Sequence, residues 1–217
     1  MTEWNRIYKK EKGQEKYLYY DILKPHLDMG RVVKIFKKHK VKRVLDLGCG
    51  AGRNLWYLAR AGFEVWGIDA AQSGLKIANN FLKKEKLRAK LNKGDIFQHL
   101  PYPDKSFDAL ISVQVLQHSN KAGIENAIKE IERVLAPGGL VFITLSGRYS
   151  QGKVRYCLVK TAKKIASHTY VPTCGNEKGL THFIYTKKII KKHYKNFSIQ
   201  KFWKDDKGYY CFLGRKT

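Results

Sequence analysis

Asp46-Leu-Gly48-Cys-Gly50-Ala-Gly52-Arg-Asn54 is the stretch whose reading decides the fold. Before it runs Arg43-Val-Leu-Asp-Leu47, apolar on both faces as a buried parallel strand is. After it, residues 53–61 place Leu55, Leu58 and Ala59 at helical spacing, and Gly62 stops the run. Glycines between a buried strand and a helix let the backbone approach a ligand that a side chain would block. The dinucleotide fingerprint G-x-G-x-x-G would require glycine at position 53, where Arg stands. Asp46, two residues ahead of the first glycine, would repel a phosphate and suits a cationic group instead.

Outward from this loop the pattern repeats. Residues 63–68 form a second strand, and residues 72–86 an amphipathic helix with Leu75, Ile77, Ala78, Phe81 and Leu82 on its apolar side. A weaker strand ends near Gly94, and residues 107–113 form a fourth. Residues 121–136 make a helix that Pro137-Gly-Gly139 breaks before a strand over 140–145. Upstream, Val32, Val33, Ile35 and Phe36 mark a short amphipathic helix. Downstream, a helix over 186–195 precedes strands near 197–203 and 209–214, joined by the turn signal Lys204-Asp-Asp-Lys-Gly208. Alternating strands and helices predict an α/β, doubly wound, mostly parallel sheet that ends in an antiparallel hairpin.

Two more acids stand at strand ends. Asp69 closes Val65-Trp-Gly-Ile-Asp69, 23 residues after Asp46, where a carboxylate can accept both hydroxyls of a ribose. Alone, such an Asp is more often a helix cap; the joint spacing favours the ligand role. Asp95, in Gly94-Asp-Ile96, is placed to accept from an adenine amino group. All these ends open on the crevice beside the first strand.

With these residues assembled, the chain resembles the class I S-adenosylmethionine-dependent methyltransferases. Residues 44–52 are similar to that superfamily's first motif, Gly67-Ile-Asp69 to its second, and Gly94 to Asp108 to its third. Ile131 to Leu140 resembles the helix, Pro-Gly-Gly, strand signature of the type 11 branch. Gly179 to Thr186 and Tyr209 to Lys216 are similar to the ending of tellurite-resistance-type methyltransferases.

The resemblance implies a seven-stranded sheet with its last strand antiparallel. It further implies S-adenosylmethionine as cofactor, with S-adenosylhomocysteine as product. By position, Asp46, Gly48, Gly50, Gly52 and Asn54 would meet the methionine moiety. Asp69 would hold the ribose, with Ala70 beside the adenine. Asp95 and Ile96 would take the adenine, and Gln114 would border the sulfonium. Trp4 and Tyr8 would fold over the cofactor, or simply anchor an N-terminal helix. A single domain is expected: cap helices over 1–40, a cofactor core over 41–146, a substrate-side insertion over 147–185, and a helix with a hairpin over 186–217.

The acceptor is less legible. His118 follows the fourth strand as a candidate base, or a polar residue at a helix start. His182 is the second candidate, or a hydrogen-bonded structural His. Tyr8, Tyr149 and Tyr185 are candidates for lining the acceptor pocket. The fourth strand leads into Ser112-Val-Gln-Val115, unlike the motif of adenine-amine methyltransferases, and no cysteine follows a proline as a cytosine C5 nucleophile does. The four cysteines are scattered, so no metal site is expected, and a reducing cytoplasm fits.

No apolar run approaches a membrane span, and the first residues lack the apolar segment of a secretory signal. The net charge of +25 is uneven: residues 1–43 carry +8, 44–147 only +3, and 148–217 carry +14. A small-molecule acceptor is the leading expectation. RNA held by the basic flanks is the alternative, and a non-catalytic cofactor-binding subunit a third. Lysine-rich composition alone would also produce such a surface.

Overall fold

A computed structural model describes residues 3–8, 24–150, 153–154, 161–174 and 177–217, of which Glu3, Arg6, Ile7, Tyr149, Ser150, Lys153 and Val154 are described by their backbone alone. Arg43–Leu47 (β1) and Phe107–Val113 (β4) sit at the centre of a seven-stranded sheet. Their side chains alternate between two cores. Leu45, Leu47 and Leu110 face one side, and Val44, Ala109 and Ile111 the other. Burial on both faces explains why these strands are nearly continuous apolar runs rather than alternating ones.

Glu64–Asp69 (β2) and Lys90–Lys93 (β3) extend the sheet on one flank, all parallel. Leu135–Leu145 (β5) pairs parallel with β4 on the other. Tyr210–Lys216 (β12) then runs antiparallel to both β5 and Phe197–Lys204 (β11), giving the order β11-β12-β5-β4-β1-β2-β3. This is the expected mostly parallel sheet with its antiparallel last strand.

Helices cover both faces. Met29–Lys38 (α2), Arg53–Arg60 (α3) and Gln72–Lys84 (α4) bury Val32, Phe36, Leu55, Leu58 and Leu75 against one face. Lys121–Val134 (α5) buries Ile124, Ile128 and Ile131 on the other. Its start is set by Asn120, whose side chain accepts from the Gly123 amide at 2.9 Å. Lys187–His193 (α6) is capped likewise by Thr186. Glu3–Tyr8 (α1) lies against the start of α4, where the Ser73 amide and hydroxyl donate to the Asn5 side-chain oxygen at 3.1 and 2.9 Å.

One expectation is corrected. The helix ends at Val134, two residues early, and β5 begins at Leu135, ahead of the Pro-Gly-Gly. Leu135 still pairs with Phe107, and a bulge at Phe107/Ala109 absorbs the glycines before Leu140 resumes the register. Within the insertion, residues 153–154 and 162–166 are strands. Lys153–Val154 (β7) pairs with Tyr149–Ser150 (β6), and Ala162–Ala166 (β8) with Thr169–Pro172 (β9). The β-branched Thr169 and Val171 favour an extended partner over a helix. His182–Phe183 (β10) joins β9 as the third strand. Arg155, Tyr156, Cys157 and Lys160 fall outside the described residues. No helix among the described residues is long and apolar enough to cross a membrane.

Candidate functional site

The carboxyl ends of β1, β2 and β4 meet over the loop 48–52. Gly48, Gly50 and Gly52 all adopt left-handed backbone conformations, with φ of 78°, 52° and 86°. The Gly48 and Cys49 amides donate to the Ile68 carbonyl, folding the loop back over the end of β2. A Cβ at Gly48 would run into the Val115 side chain, and one at Gly50 into the Tyr8 hydroxyl. The loop is thereby kept bare beside a cavity of about 800 Å³, an ordinary size for a small-molecule site.

Gly48, Gly50, Asn54, Asp69, Ala70, Asp95 and Ile96 all line this cavity. Asp69 accepts the Gly50 amide on one carboxylate oxygen and the Ala71 amide on the other, each at 2.8 Å. Burial raises its pKa, and those two amides hold it back down. Each oxygen keeps a second lone pair for a ligand hydroxyl. Asp95 accepts the Phe97 amide at 2.9 Å, which fixes the chain where Ile96 enters the core.

Gln114 borders the same cavity with a left-handed φ of 63°. Its amide donates to Thr144 Oγ1 at 2.8 Å, and its side-chain oxygen accepts from Arg53 at 3.1 Å.

Asp46 lies beneath the loop, 1% exposed, and its Oδ2 meets no hydrogen-bond partner among the described residues. Burial pushes its carboxyl up to about 8; the Arg53 guanidinium opposes this and the Asp69 charge adds to it. A buried acceptor left open in this way fits the ammonium of an amino acid moiety. Gly52 does not line the cavity; it starts α3 and lets it pack on Ala78 of α4.

Trp4 and Tyr8 of α1 also line the cavity, Tyr8 with its hydroxyl over Gly50 and Trp4 beside His118. The Trp4 and His118 rings meet edge to face at 4.7 Å, and His118 rests in the same way on His182 at 4.6 Å. Burial, then the neighbouring His182, push His118 down to about 3, so its imidazole is neutral across the physiological range. His182 is buried on β10, 3.5 Å from Glu177, and reaches the cavity only through His118.

Tyr185 is placed elsewhere. It is fully buried in the core with its hydroxyl donating to the Leu116 carbonyl at 3.2 Å, so packing rather than ligand contact accounts for it. Tyr149 has only its backbone described.

Sequence reasoning missed Arg53, Phe97, Gln117, Glu177 and Tyr209 as lining residues. Arg53 carried a signal, a cation directly after the glycine loop. Glu177 and Tyr209 carried none, since they arrive from remote segments.

Known proteins echo this arrangement. Residues 44–139 match a methyltransferase domain family. A demethylmenaquinone methyltransferase of Tropheryma whipplei is 37% identical over 134 residues, 58% of this chain and 54% of that one. The chain thus spans about half the length of the curated relatives it matches. Among solved structures, the PH0226 protein of Pyrococcus horikoshii superposes with a TM-score of 0.70 at 22% identity, covering 96% of this chain and all of that one. A 1,6-didemethyltoxoflavin-N1-methyltransferase of Burkholderia thailandensis, with its acceptor and S-adenosylhomocysteine bound, superposes at 0.66 and 16% identity over 94% and 84% of the two chains. At such identities the likeness is one of fold.

Proposed function

We propose that the protein, whose residues 44–139 match a methyltransferase domain family, is a class I S-adenosylmethionine-dependent methyltransferase acting on a small-molecule acceptor. The observation that carries the reading is the bare glycine loop, which shares the cavity rim with Asp69 and Asp95 and has beneath it Asp46, a buried acid with an open oxygen that does not itself line the cavity. When bound, S-adenosylmethionine supplies a methyl group on a positively charged sulfur.

Asp46 would pair with its ammonium and Arg53 with its carboxylate. Asp69 would accept the ribose hydroxyls, and Ala70 and Ile96 would flank the adenine whose amino group Asp95 accepts. Gln114, held by Thr144 and Arg53, would border the sulfur. Such positioning supplies much of the rate of an in-line displacement. His118, neutral and half-buried, suits orienting an acceptor better than taking its proton, because a base with so low a pKa holds a proton weakly. Acceptors that arrive as nucleophiles fit this wall.

The small-molecule reading is supported by the quinone named for the Tropheryma whipplei relative and the toxoflavin precursor held by the structural neighbour. The test is calorimetric titration with S-adenosylmethionine and S-adenosylhomocysteine, followed by transfer of a labelled methyl to small metabolites and to total RNA. Micromolar binding with label in metabolites is expected. Label confined to RNA would overturn the acceptor class, and no binding would overturn the cofactor.

A further inference from the structure

Although 43 of the 217 residues are Lys or Arg, acids outnumber cations among the described residues that line the large cavity. Its charged lining residues are Arg53 against Asp69, Asp95 and Glu177. Arg53, Asp69 and Asp95 stand at the cofactor end, with the glycine loop and Gln114. Tyr8, whose hydroxyl lies over Gly50, belongs to that end too, and the lining left for the acceptor includes Trp4, Gln117, His118, Tyr209 and the carboxylate of Glu177. Two aromatic side chains and a neutral imidazole line this end, and the T-shaped contact of Trp4 on His118 holds both rings in place. Aromatic faces attract cations, and a carboxylate at the rim reinforces that preference. A phosphate or carboxylate would instead be desolvated beside Glu177 with no described cation at that end.

Resting on the methyltransferase reading, we propose that the acceptor subsite takes a planar aromatic molecule bearing a protonated amine, with Glu177 as its counter-charge and Trp4 and His118 as its walls. Glu177 then determines specificity without touching the reacting atoms. The same chemistry separates this site from one for nucleic acid, whose backbone contacts require cations.

The test uses three bicyclic probes of one shape and different charge: tryptamine, tryptophol and indole-3-acetate. Each is titrated by calorimetry into the full chain, with and without saturating S-adenosylhomocysteine. Tryptamine is expected to bind about tenfold or more tighter than tryptophol, the advantage of a charged hydrogen bond, and indole-3-acetate weakest. Glu177 is half exposed, so Glu177→Gln should fold and keep its S-adenosylhomocysteine affinity. In that variant the tryptamine advantage should vanish while tryptophol binds as before.

Equal or tighter binding of indole-3-acetate, an unchanged preference in Glu177→Gln, or no binding of any probe would overturn the proposal. S-adenosylhomocysteine binding in those cases leaves the methyltransferase reading standing. Loss of that binding with the amine preference intact overturns the methyltransferase reading alone.

Discussion

Replacing Asp46 with Asn should stabilise the ligand-free protein at high pH while damaging its function. In the folded chain the Asp46 carboxyl is pushed up to about 8 from an ordinary 3.8, first by burial. A raised folded-state pKa means that the native state holds a proton which the unfolded chain has already released. The stabilisation from that proton is complete below pH 3.8 and is lost as pH rises toward 8. The loss runs at up to about 1.4 kcal/mol per pH unit, and reaches on the order of 5 kcal/mol across the window. The Asn variant is nearly isosteric and has no proton to lose.

Urea unfolding of both proteins at pH 5, 6, 7 and 8 isolates the effect, because every other titrating group cancels in the difference. The stability of the variant relative to the parent should climb by about 1 kcal/mol per pH unit between pH 5 and 8. A flat difference would mean that Asp46 is ionised in the native state, and the argument from its burial would fail.

Further outcomes follow from the same site. S-adenosylhomocysteine affinity of the parent should tighten by up to about tenfold per pH unit between pH 6 and 8, because Asp46 must release its proton before pairing with an ammonium; calorimetry at three pH values checks this, and a pH-independent constant refutes it. Asp69→Ala should weaken that binding by about 1–3 kcal/mol, and unchanged affinity would sink the ribose role. Gly50→Ala should displace α1, since its methyl meets the Tyr8 hydroxyl, and should lower stability by about 1–3 kcal/mol. Adding Tyr8→Phe should restore part of that stability in thermal unfolding, and an equal loss in both backgrounds would discount the contact. Finally, kcat plotted against pH should show no imidazole inflection between pH 5 and 8, because His118 is neutral throughout; an inflection there that His118→Gln removes would restore it as a base.

The sheet and the glycine-loop end of the cavity were legible because both are built locally. Strand, glycine loop and helix are contiguous from Arg43 to Arg60, and the spacing of Asp46, Asp69 and Asp95 follows directly from the βαβ repeat. The acceptor end was not legible. It is assembled from Trp4, His118, Glu177 and Tyr209, which no local pattern connects. Tyr185 shows the converse error: it follows a substrate-side segment in sequence, but alternation on a short extended stretch turns its ring into the core. The strands at 153–154 and 162–166 escaped because lysines at several positions hid their pairing partners, and cross-strand pairing is decided by segments yet to come in the chain.

That dependence on later segments governs how the chain acquires its shape during synthesis. β12 lies between β5 and β11, although both precede it in the sequence. Until residues 210–216 leave the ribosome, the apolar run Leu140–Leu145 has an unpaired edge and β11 has no place in the sheet. A nascent chain stalled before β12 therefore exposes a sticky strand edge. Chaperone demand and aggregation in cells should rise with any delay in translating this hairpin, even though in the folded protein β12 is paired on both sides.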